Sequence, residues 1–104
     1  MNTKKILDSV SAPQASLVFT KARGGPPGTI FMRNDAAPGD LSAGDLATVQ
    51  ISHDDGRNFV DLVKDGILVQ LSSTNNHESV YGPGVYRLNL SAVTGPVSAY
   101  YNRG

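Results

Sequence analysis

The chain contains no cysteine and no tryptophan, and its 104 residues include only two histidines. Without cysteine there is no disulfide framework and no thiolate metal site, so the fold must be held by its core or by contact with other subunits. Charge is scarce as well, since nine basic and nine acidic residues cancel to a formal net charge of zero. That balance removes the basic footprint that phosphate backbones demand and argues against a nucleic-acid partner. No stretch approaches the roughly eighteen consecutive apolar residues of a membrane-spanning helix, so no membrane partner is expected. At the amino end Lys4-Lys5-Ile6-Leu7 has the basic start of a secretory signal, but Asp8 and Ser9 break the apolar run at once. The expectation there is a mature amino terminus.

What remains is a mostly aliphatic chain with three phenylalanines and four tyrosines. A chain of this length makes one domain and buries roughly two-thirds of its unfolded surface, enough for a single thin core that oligomerisation would help. The stretch from Leu46 to Leu71 organises it. Ala47, Val49 and Ile51 alternate with Thr48, Gln50 and Ser52, the period of a half-buried strand. Asp55-Gly56 and Asp65-Gly66 each place a residue tolerant of positive φ before a glycine, which suits tight reversals. Three consecutive antiparallel strands are expected here, with Val49, Ile51, Val69 and Leu71 facing inward.

Ser16 to Lys21 reads as an earlier strand stopped by Gly24-Gly25-Pro26-Pro27-Gly28, and Thr29 to Arg33 as the next. Ser72 to Ser79 reads as a polar loop, Val85 to Leu90 as a strand with Tyr86, Leu88 and Leu90 inward, and Val97 to Tyr101 as the last strand. The fold class is therefore all-β, a single β-sandwich or jelly-roll-like barrel of about seven or eight short antiparallel strands over residues 16–104. Residues 1–15 read as an arm. Ile6, Leu7 and Val10 have helix-like spacing but too little length before Pro13, so the expected use is attachment to a neighbour.

No constellation carries chemistry. The Gly24–Gly28 run lacks the Gly-Lys-Ser/Thr ending of a phosphate-binding loop. Asp35, Asp40 and Asp45 recur every five residues, whereas calcium loops place ligands at alternate positions, so these aspartates are expected to bind backbone amides in turns. His53 and His77 both lie in expected turns or loops, without the nucleophile and orienting carboxylate of a triad. Asp61 and Asp65 lack the aromatics that a glycosidase cleft would bring. No cofactor, metal or enzymatic activity is expected. The candidate partner-binding residues are Lys4, Lys5, Ile6, Leu7 and Val10 on the arm, and Tyr100 and Tyr101, of which one must face outward on a strand.

The segments Val49-Gln50-Ile51-Ser52-His53-Asp54-Asp55-Gly56-Arg57-Asn58-Phe59, Gly82-Pro83-Gly84-Val85-Tyr86-Arg87-Leu88 and Gly95-Pro96-Val97-Ser98-Ala99-Tyr100 resemble small all-β virion proteins of tailed bacteriophages. In these a strand and an aspartate-glycine turn lead to a Gly-x-Tyr-Arg strand and a closing Gly-x-Val-x-Ala strand. The resemblance implies a capsid decoration (cement) protein, commonly a trimer, made in the host cytoplasm and bound to the major capsid protein on the outer capsid surface of the virion. The alternative is a carbohydrate or cell-surface binding module of a tail fibre or tail tip.

Overall fold

In the computed structural model, which describes residues 3–103, every regular element is a strand. In chain order they are Thr3–Val10 (β1), Gln14–Ala15 (β2), Phe19–Lys21 (β3), Gly28–Asn34 (β4), Leu46–Ser52 (β5) and Val60–Asp61 (β6). Val63–Lys64 (β7), Ile67–Leu68 (β8), Gln70–Ser72 (β9), His77–Val80 (β10), Gly84–Ala92 (β11) and Val97–Asn102 (β12) follow. A four-stranded sheet in the order β1-β12-β4-β10 packs on a six-stranded sheet in which β11 and β5 are central, and every pairing is antiparallel. The result is the expected β-sandwich-like fold.

Alternation fills the space between the sheets. Val49, Leu71, Leu88 and Leu90 from one sheet meet Ile30, Met32, Val97 and Ala99 from the other, all essentially inaccessible to solvent. Of the residues expected to face inward, Val49, Val69, Leu71, Tyr86, Leu88 and Leu90 are buried, and Ile51 packs on the core from a half-buried position.

Residues 3–10 depart from the expected arm. Thr3–Val10 is the edge strand of the four-stranded sheet, and Ile6 and Leu7 are both in the core. Two neighbours on a regular strand cannot both point inward. The ladder to β12 shifts register between Lys5 and Leu7, which pair with Tyr100 and Ala99, so Ile6 is the extra residue of a bulge. A second irregularity before Val10 holds Ser9 at φ 50°. Two bulges in a strand thus produced the apolar spacing that resembled a helix.

The expected meander also differs. β6 and β9 do not lie side by side but both pair with the same edge of β5, as two pieces of one interrupted strand. Leu62 N–H donates to the Val49 carbonyl, Val49 N–H to Val69 O, and Val69 N–H to Leu62 O, which closes the interruption. The residues between bud outward as the β7–β8 hairpin, turned by Asp65 and Gly66 at φ 53° and 78°. Ile67 and Leu68, read as part of a core strand, therefore stand on a projection. The opposite edge is interrupted in a similar way. β2 and β3 both pair β11, and between them Leu17 N–H leaves to donate to Ile6 O of β1 at 3.0 Å, tying the two sheets together. Leu17 and Val18 consequently face solvent, not the core. The expected loop at 72–79 is shorter than read, because β10 continues the first sheet from His77.

Candidate interaction surface

The residues singled out at the carboxy-terminal strand divide as the period of a strand requires. Tyr101 points inward, 2% exposed, with its ring stacked on Phe19 at a centroid distance of 4.4 Å. Tyr100 is the outward one, half-buried, and belongs to a row that crosses the whole sheet: Lys5, Tyr100, Phe31 and His77 are successive cross-strand partners on β1, β12, β4 and β10. Within it the Tyr100 and Phe31 rings stack at 5.0 Å, and the Lys5 ammonium lies 5.7 Å from the Tyr100 centroid. The rings thus cover one another, unlike a sugar-binding platform, which needs free ring faces.

Of the other amino-terminal candidates, Lys4 Nζ donates to Val18 O at 2.8 Å, Lys5 pairs with Asp8 at 3.2 Å, and Val10 packs against the core. Ile6 and Leu7 are buried in the core, 2% and 3% exposed, beneath a groove that Lys5, Asp8, Val10 and Leu17 also line.

The loop carboxylates do structural work. Asp45 is buried, and its Oδ1 accepts from Thr94 N–H and Oγ1 while Oδ2 accepts from Ser42 N–H. Asp35 Oδ2 accepts from the hydroxyls of Ser9 and Ser98, fastening the bulge of β1 to the loop after β4. The Ser9 hydroxyl, helped by Ser98, holds this carboxyl below its ordinary pKa against the opposing effect of burial. Asp54 organises the turn after β5 by accepting from the backbone and side-chain amides of Asn58 at 2.8 and 2.7 Å. His53 and His77 are exposed, and the described residues hold no cluster of three or more metal-ligating side chains. On the outer face of the second sheet, Arg87 lies over the Phe59 ring at 4.2 Å and donates to Gln50, which donates in turn to Asp61. These four side chains thus partner one another.

Among the described residues, seven large apolar side chains stand exposed: Leu17, Val18, Val60, Val63, Ile67, Leu68 and Tyr81. Five of them gather at the hairpin end. Val63 pairs Leu68 directly, so these two share one face of the hairpin, while Ile67, opposite Lys64, is 71% exposed on the other. The hairpin is braced, since Lys64 Nζ donates to Ser79 O at 3.0 Å and lies over the Tyr81 ring at 4.9 Å. Apolar side chains thus stand exposed on both faces of a hairpin that Lys64 holds to Ser79 and Tyr81. In the residue pattern only the Asp65-Gly66 turn marks this hairpin, since Ile67-Leu68-Val69 reads as a continuous core run. Comparison with known proteins yields no match to any protein-family model, curated protein or solved structure.

Proposed function

We propose that this protein is a non-enzymatic structural protein of a bacteriophage virion, a decoration protein that binds at junctions between major capsid subunits and stabilises the head. The observation that carries the reading is the braced, two-faced apolar hairpin at Val63–Leu68 on a small neutral sandwich. Exposed apolar surface concentrated on a projection marks a protein contact, and a junction between subunits supplies the cleft such a projection fits. The resemblance of the Val49–Phe59, Gly82–Leu88 and Gly95–Tyr100 segments to small virion proteins supports the same role. A carbohydrate-binding module is the weaker reading because the faces of Tyr100 are taken up by Phe31 and Lys5. The test is a cryo-electron-microscopy reconstruction of the parent particle, with and without the protein. Density for the sandwich at capsomer junctions, hairpin inward, is the expected result; a particle lacking it, together with specific hits on a glycan array, would sink the proposal.

A further inference from the structure

One inward position of the sandwich holds a lysine. On β3 the side chains alternate, Phe19 and Lys21 buried and Thr20 exposed, so Lys21 follows Phe19 toward the space between the sheets and is only 6% exposed. Its ammonium donates to Ala22 O at 2.9 Å and to Gly24 O at 2.8 Å, in the loop that Gly24 and Gly25 turn at φ 77° and 78°. Two of its three donors are thereby used. The charge has no counterpart, since no carboxylate among the described residues lies within ion-pair distance of it. Buried charges in proteins are paired, because an uncompensated one is costly.

Lys21 opens on a pocket. A cavity of about 270 Å³ is lined by Lys21, Gly24 and Pro26 on the β3 side and by Tyr101 and Arg103 on the β12 side. Two cations line it and, among the described residues, no carboxylate does. Tyr101 contributes a hydroxyl that is buried without a hydrogen-bond partner. Burial pushes that phenol above its ordinary pKa while the Arg103 charge acts the other way, which places the guanidinium near the phenol.

We infer that this pocket binds a small oxyanion, a carboxylate or a phosphate group, on the Lys21 ammonium with the Arg103 charge beside it. The third ammonium hydrogen makes a charge-assisted hydrogen bond to the anion, and the anion supplies the counter-charge that Lys21 lacks. The volume falls below the roughly 300 Å³ at which sites for drug-sized ligands begin, so a compact group suits it. The site stands apart from the surface assigned to the capsid: β3 pairs β11 on one side of the six-stranded sheet, whereas the Val63–Leu68 hairpin buds from the far side of β5. Oxyanion binding is therefore independent of the virion reading.

The test titrates the full chain with inorganic phosphate and, separately, with acetate, against sodium chloride at the same ionic strength, and follows backbone amide shifts by NMR. Saturable shifts confined to residues 21–25 and 101–103 are expected with at least one of the two oxyanions and not with chloride; which of them responds names the group accepted. Lys21→Met keeps an unbranched side chain without the charge and should raise the dissociation constant at least about tenfold. Arg103→Gln, at an exposed position, should raise it at least about threefold with the fold intact. It decides the question if circular dichroism shows Lys21→Met unfolded. Arg33→Gln, near the other end of β4 from Gly28, should bind like the parent. No saturable shift up to about 100 mM, shifts spread equally over Lys4 and Arg33, or undiminished binding in a folded Lys21→Met or in Arg103→Gln overturns the site.

Discussion

The ring of Tyr101 lies on the backbone of Gly28, so close that a β-carbon at position 28 would stand 2.5 Å from its Cε1 and Oη. Gly28 opens β4 and Tyr101 sits on the neighbouring β12, where the ring runs inward to stack on Phe19 of the other sheet. The glycine is required here by space, and the tyrosine hydroxyl arrives at a buried position where it finds no hydrogen-bond partner among the described residues.

Two substitutions at this contact should act in opposite directions. Gly28→Ala forces the ring aside in a packed core and should destabilise the protein by about 1 to 3 kcal/mol. Tyr101→Phe removes an unsatisfied polar atom and keeps the ring, so it should be at least as stable as the parent, with a gain bounded by the about 1 to 3 kcal/mol that such an atom costs. Urea denaturation measures both; a clear loss of stability in Tyr101→Phe would mean that the hydroxyl has a partner in solution.

Residues 3–10 should prove indispensable to the fold. With Ile6 and Leu7 in the core and β1 paired to β12 along its length, deletion of residues 1–12 should abolish the cooperative thermal transition. The milder Ile6→Ala should cost about 2 to 5 kcal/mol, the range for a large aliphatic cut back in a core. A truncated chain that melts like the full one would show that the strand is dispensable.

The sandwich was legible in the sequence wherever a strand kept its period. β11 alternates cleanly, and Leu88 and Leu90 lie where alternation puts them, as does Val49 on β5, although Thr48 beside it is buried as well. It failed where the ladder is interrupted. The bulge at Ile6 puts two consecutive apolar residues inside, which neither strand nor helix periodicity describes. Leu17-Val18 and Ile67-Leu68 are as apolar as any core run, yet each sits where an edge strand breaks off and leaves its partner. A period reports which face a side chain occupies, but not whether the strand stays in its sheet, and Leu17, Val18, Ile67 and Leu68 are left exposed at those breaks.

Leu88 tests the inward register of the central pair. It lies on β11 opposite Val49 and is fully buried. Leu88→Ala should lose about 2 to 5 kcal/mol, whereas Ser91→Ala, on the exposed end of the same strand, should change stability by no more than about 0.5 kcal/mol. Comparable losses at both positions would contradict the assigned faces.

Acid should loosen the turn after β5 within a defined window. The side-chain amide of Asn58, then its backbone N–H, then the Ser52 hydroxyl hold the Asp54 carboxyl at about 2, below the ordinary 3.8. Because the folded value is the lower one, the unfolded chain takes up the proton first as pH falls. The contribution of Asp54 to stability is therefore complete above the unfolded value, shrinks as the pH drops below about 4, and is gone once it passes about 2. Asp35, lowered by the Ser9 hydroxyl, acts in the same direction at the β1 bulge. Thermal melts of the parent should show Tm falling mainly between about pH 4 and pH 2. Asp54→Asn, which cannot accept the same pair of charged hydrogen bonds, should melt lower than the parent at pH 6, fall less across the window, and converge with it near the bottom. Parallel curves for the two proteins would show that Asp54 is not linked to folding and that the acid response belongs to other carboxylates.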